Sequence, residues 1–111
     1  MDIRIINKVI TKVEAKEIAK DFYVDMVKGV VDIEREIIAL GGEYHMDANM
    51  MLIGNGSEQK NIWGFNFYPD ENRIHFVSLI NIRPAQNNRT IEIQDENLRR
   101  QMEKIIRTLI V

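Results

Sequence analysis

Two stretches of this chain carry side chains whose types and spacing could do chemistry. The first is the run Ile80-Asn81-Ile82-Arg83-Pro84-Ala85-Gln86-Asn87-Asn88-Arg89, in which an apolar strand pattern gives way to dense polar residues. Arg83 and Arg89 can grip a carboxylate or phosphate through their guanidinium forks, while Gln86 and Asn88 add donors that fix orientation. Polar loops just past strand ends are where rigid scaffolds hold binding groups. Asn66 and Asn81 join this set as candidate ligand-binding residues. The structural alternative is that Arg83 and Arg89 pair with the chain's own carboxylates while the amides cap a loop.

The second stretch is Glu43-Tyr44-His45-Met46-Asp47. Read as a strand, it projects Glu43, His45 and Asp47 from one face. Such a set is a catalytic candidate, with Glu43 or His45 as general base, because histidine titrates near neutral pH. It could equally hold a divalent ion. Strand alternation on a solvent-facing sheet produces the same triplet without any function, so neither a metal nor a cofactor is expected.

The elements that must position these residues follow from periodicity. Asp2 to Ile6 reads as a first strand, with Ile3 and Ile5 on one face. Thr11-x-x-Glu14 is a capping box, and Ala15, Ile18, Ala19 and Phe22 repeat at helical spacing, which predicts a helix over 12–22. Asp95 caps a second helix with Leu98, Met102, Ile105, Ile106 and Leu109 as its core stripe and Arg99, Arg100, Lys104 and Arg107 on its solvated side. Between the helices the period becomes two. A turn around Arg35-Glu36, or a four-residue turn over Glu34 to Ile37, pairs Ile33 with Ile38, Val31 with Leu40, and Val27 with Tyr44. That register sets Gly29 opposite Gly42 and Lys28 opposite Glu43.

A second hairpin turns at Pro69-Asp70-Glu71-Asn72. It pairs Phe67 with Ile74, Phe65 with Phe76, Trp63 with Ser78, and Asn66 with His75, and it continues through Ile80 and Ile82 on the core side. Asp47 to Ser57 reads as a connection with a short helical turn through Met50-Met51-Leu52. The fold class is therefore α+β, a mainly antiparallel sheet of two hairpins plus an N-terminal strand, with the N-terminal and C-terminal helices packed on one face. The other face carries Asp32, Glu43, His45, Asp47, Asn66, His75, Asn81 and Arg83 and is expected to be polar and open.

Composition narrows the function classes. The 111 residues make one domain, 1–111, with 45% hydrophobic content, net charge −2 and pI near 5.7. The acidic balance opposes nucleic-acid binding, including an RNA site built on the arginines and Tyr68. No apolar run reaches membrane-spanning length, and no signal peptide is visible at the N-terminus. With no cysteine, thiol catalysis, disulfides and thiolate metal sites are excluded. A cytoplasmic location fits these features.

Several segments resemble an uncharacterised prokaryotic single-domain family of unknown function. They are Val27 to Glu34, Gly41 to Asp47, Gly56-Ser57-Glu58-Gln59, Ile62 to Pro69, and Ile80 to Arg89, the last being the most specific. In that family the position of Asn87 is usually glycine. The resemblance implies a bacterial or archaeal origin and a single domain, and it transfers no chemistry. Two expectations stand. The first is a non-enzymatic, self-associating or partner-binding domain. The alternative is a binder or hydrolase of a small anionic metabolite that uses the polar sheet face and the Arg83-Arg89 loop.

Overall fold

The computed structural model describes residues 3–111; Asp2, at the head of the expected first strand, lies outside the described residues. The elements run β1 (Arg4–Ile6), α1 (Lys12–Ala19), β2 (Val27–Asp32), β3 (Ile37–Leu40), α2 (His45–Gly54), β4 (Ile62–Tyr68), β5 (Arg73–His75) and α3 (Glu96–Leu109), with 3-10 turns at Gln59–Asn61, Pro69–Glu71, Leu79–Asn81 and Pro84–Gln86. The strands form one antiparallel sheet in the order β1-β3-β2-β4-β5. This is an α+β fold, as the change of period implies.

Both expected helix starts are present. The Thr11 hydroxyl accepts from the Glu14 N–H at 3.1 Å while the Glu14 carboxylate accepts from the Thr11 N–H, and Asp95 accepts from the Asn97 and Leu98 N–H groups. The first helix stops at Ala19, earlier than the expected Phe22, which is left exposed.

One apolar cluster joins Ala15, Ile18 and Ala19 of α1 and Met102, Ile105, Ile106 and Leu109 of α3 to Val31, Leu40, Trp63, Phe65 and Phe67 of the sheet. The neighbouring residues in those strands point the other way, as strand geometry requires. There Val30, Ala39 and Ile62 pack on Ala48 and Leu52 of α2. The second face is therefore covered, against the expectation that it is open: Asp32, His45, Asn66 and Asn81 are all buried.

The first hairpin has the expected faces and a different register. Gly29 pairs with Leu40, Val31 with Ile38 and Asp32 with Ile37, a shift of two residues. Asp32 causes it. Its Oδ1 accepts from the Glu34 and Arg35 N–H groups at 2.9 and 3.0 Å, an Asx turn that starts the loop earlier, and Glu36 closes it at φ 55°. A two-residue shift keeps every side chain on its face, so hydrophobic alternation alone does not distinguish the two registers. The expected pairs Val27–Tyr44, Gly29–Gly42 and Lys28–Glu43 do not form, because β3 ends at Leu40.

In the second hairpin Phe67 faces Ile74 and Asn66 faces His75, as expected. The pairs Phe65–Phe76 and Trp63–Ser78 do not form. The chain turns away after His75, where the Val77 N–H donates back to the His75 carbonyl at 3.0 Å. Phe76 then accepts from the Ile93 N–H, and Ser78 packs against Gly64. A Cβ on Gly64 would lie 2.5 Å from the Ser78 Cβ, so only glycine permits this approach. Ile80 packs on the α2 side of the sheet, and Ile82 is exposed.

Candidate functional site

Gly41 and Gly42 adopt φ 115° and 89°, conformations that glycine takes at little cost. They end β3 and turn the chain into α2, so Tyr44 to Asp47 is the head of a helix where alternation implied a strand. The expected short turn through Met50-Met51-Leu52 is the middle of the same helix. Asp47 Oδ2 accepts from the Tyr44 N–H at 3.1 Å and ties down this start. Helical geometry then separates the expected catalytic triplet. Glu43 is exposed, Asp47 caps the helix, and His45 turns inward and is only 7% exposed. Among the described residues no three His, Asp or Glu side chains converge on a common point.

His45 lies at the floor of a cleft of about 520 Å³ between the head of α2 and the Val77 to Ile80 segment. Tyr44, Met46, Val77, Leu79, Ile80 and Ile91 form its mostly apolar walls, and Lys28, His45, Asn66 and Ser78 are the polar side chains of its lining. Lys28 and Asn66 are direct partners across β2 and β4, so their side chains leave the sheet together. Sites for small molecules have this composition, an apolar concavity with a few placed polar groups.

The protonation of the floor follows from its bonds. His45 Nε2 lies 2.8 Å from the Phe65 carbonyl oxygen. A carbonyl only accepts, so Nε2 carries the hydrogen and Nδ1 of the neutral ring is a bare acceptor. Burial pushes the His45 pKa down to about 4; the Phe65 carbonyl opposes the shift, the Lys28 charge adds to it, and Asn66 opposes it least. The ring is neutral at neutral pH. Asn66 Oδ1 is buried without a hydrogen-bond partner. The neutral ring offers it no hydrogen, so His45 Nδ1 and Asn66 Oδ1 are both left without a donor, the oxygen with almost no exposed surface. Burial also lowers the Lys28 pKa.

The other expected binding residues are gathered elsewhere. Asn81 Oδ1 accepts from the Gly64 N–H at 2.8 Å, and its Nδ2 donates to the Gly64 and Ile91 carbonyls. Asn88 Nδ2 donates to the carbonyls of Asn81, Thr90 and Glu92, and its Oδ1 accepts from the Gln94 N–H. Arg83 stacks 3.8 Å above the Trp63 ring. It donates to the carbonyls of Ile80, Gln59 and Ile62 and to Gln86 Oε1. Burial lowers its pKa to about 10, which leaves it charged at neutral pH. Gln86 also donates to the Lys60 carbonyl. Arg89 is exposed. Asn87 sits at φ 65°, a left-handed conformation that suits glycine or asparagine.

Lys28 and the apolar walls were not among the sequence candidates. Lys28 had a signal, since alternation in β2 places it on the face of Asp32. The walls had none, because Ile91 reaches the cleft only through the departure of the chain after His75.

These features define a small α+β domain with a sheet covered on both faces and an amphipathic cleft at the head of α2. The chain belongs to the DUF5674 family of proteins of unknown function, whose model matches residues 4–109. No curated protein and no solved structure matches it. Among the described residues no helix is long and apolar enough to cross a membrane.

Proposed function

We propose that this protein is a small-molecule-binding domain whose ligand occupies the cleft between α2 and the Val77 to Ile80 segment. The observation that carries this reading is the concavity itself, about 520 Å³ with mostly apolar walls and a few polar side chains in its lining, among them His45 with a bare Nδ1. A hydrogen bond from a ligand donor to His45 Nδ1 would add about 0.5–1.5 kcal/mol to the apolar contact. A fragment screen by two-dimensional NMR tests it. Binding fragments are expected to shift the amides of Met46, Asn66, Val77, Leu79 and Ile80 together. A screen whose hits all map elsewhere overturns the reading.

Self-association is a second reading, favoured by the rim of the same cleft. Tyr44, Met46, Leu79 and Ile91 are 63%, 49%, 78% and 43% exposed, and two such rims could cover one another in a homodimer. Light scattering at micromolar concentration is expected to give a dimer that Leu79→Lys dissociates. A monomeric parent removes this reading.

A further inference from the structure

We infer that the cleft takes a neutral, flat, largely apolar molecule that carries a cyclic or primary amide, a group whose N–H and C=O point the same way. This deepens the proposed function and rests on the cleft being a ligand site.

Three features set the class. The first is a donor beside an acceptor. His45 Nε2 is tied to the carbonyl of Phe65, the residue before Asn66, so the imidazole and the Asn66 amide are neighbours in the lining. Among the described residues the buried side-chain atoms without a hydrogen-bond partner are Asp32 Oδ2 and Asn66 Oδ1. His45 Nδ1 and Asn66 Nδ2 also lack a partner and are not among those buried atoms, so both keep surface that a ligand can reach. Nδ1 of the neutral ring only accepts, and Nδ2 only donates. A cis amide answers both at once, with its N–H on Nδ1 and its C=O on Nδ2. A main-chain peptide is trans, points these groups in opposite directions and answers only one. The second feature is charge. A carboxylate has no hydrogen to offer and would set oxygen against Nδ1. Lys28 does not reverse this, because its ammonium lies 5.3 Å from the centre of the Tyr23 ring, over a residue outside the lining. The third feature is the walls. Tyr44 and Met46 on one side and Leu79 and Ile91 on the other offer apolar surface to both faces of a ring.

The test uses the full chain at neutral pH and three bicyclic probes, titrated by NMR and calorimetry. Quinolin-2-one has an N–H beside its C=O, 1-methylquinolin-2-one lacks the N–H, and 2-naphthoate replaces the amide by an anion. Quinolin-2-one is expected to bind about tenfold more tightly than either of the others, the effect of one hydrogen bond lost at a desolvated acceptor. Its binding should move the nitrogen resonance of His45 Nδ1 upfield, and the N-methyl analogue should leave that resonance in place. Asn66→Leu, which removes the Nδ2 donor, should weaken quinolin-2-one about tenfold, with a thermal midpoint close to the parent's to establish that the variant is folded. The comparison of the two quinolinones on the parent protein needs no variant. Equal binding of these two with the Nδ1 resonance unmoved, or an affinity that folded Asn66→Leu leaves unchanged, overturns the inference and leaves the cleft as a general apolar site. Tighter binding of naphthoate overturns it in favour of an acid site. Absence of binding by any probe also overturns it, and the fragment screen then decides separately whether the cleft binds small molecules at all.

Discussion

The Asn81 to Gln94 segment and the cleft at the head of α2 are both rich in polar side chains, and they use them in opposite ways. In the loop Asn81, Arg83 and Asn88 direct their donors to backbone carbonyls of neighbouring segments. In the cleft a neutral histidine and an asparagine lie side by side with acceptors unmatched. Polar density in a sequence therefore does not separate a group that holds the fold together from one that is left over for a ligand. The two regions differ in how many of their polar atoms find partners within the chain.

The contrast is sharpest between two asparagines that flank Gly64 in space. Asn81→Ala should destabilise the fold by about 3–4 kcal/mol, since it removes three hydrogen bonds and strands the buried Gly64 amide. Urea unfolding checks this, and a loss below about 1 kcal/mol would break the comparison.

The histidine gives the next effect. Its pKa falls from 6.5 to about 4 on folding. Between those values the unfolded chain binds a proton that the folded chain refuses, so stability drops as the pH falls through that window. The full loss is roughly 3 kcal/mol. The difference between parent and His45→Gln stability profiles isolates it from the carboxylates, and parallel profiles would contradict it.

Arg83→Ala should cost about 2 kcal/mol through lost carbonyl bonds and lost stacking on Trp63. Arg89→Ala, at an exposed position, should stay within about 0.5 kcal/mol. Equal effects on stability would undo the distinction between a bound and a free guanidinium.

Asn66→Leu is also expected to change little, under about 1 kcal/mol in either direction, because an unpaired polar group is replaced by an apolar one of similar shape. A loss comparable to that of Asn81→Ala would show that Asn66 is structural after all.

Much of the frame was legible in the sequence because it is local. Thr11 with Glu14, and Asp95 before its stripe, are capping patterns that act within one turn. Phe67 with Ile74 followed from a strong turn sequence. The misread segments depend on distant partners. Five residues from Glu43 to Asp47 fit a period of two as well as the first turn of a helix, and only the paired glycines ahead of them marked the break. The register of the first hairpin was decided by the Asp32 carboxylate, while alternation constrains only the face. The loop candidates were recognisable as polar and close to a strand end, but the carbonyls they serve belong to Gln59, Ile62 and Gly64, some twenty residues away.

The side chains of Asn81 and Arg83 also bear on how copies of this chain meet. β5 ends at His75, so β4 would present an uncovered border from Ile62 to Gly64 beside Trp63 and Phe65. Apolar strand borders of this kind recruit strands from other molecules and seed aggregates. Asn81 mimics a peptide group against Gly64 and Arg83 occupies the Ile62 carbonyl. Together they close that border with side chains, where other folds add a further strand. Their loss is expected to shorten the lag before fibrillar or amorphous assembly even at temperatures where the remaining fold survives.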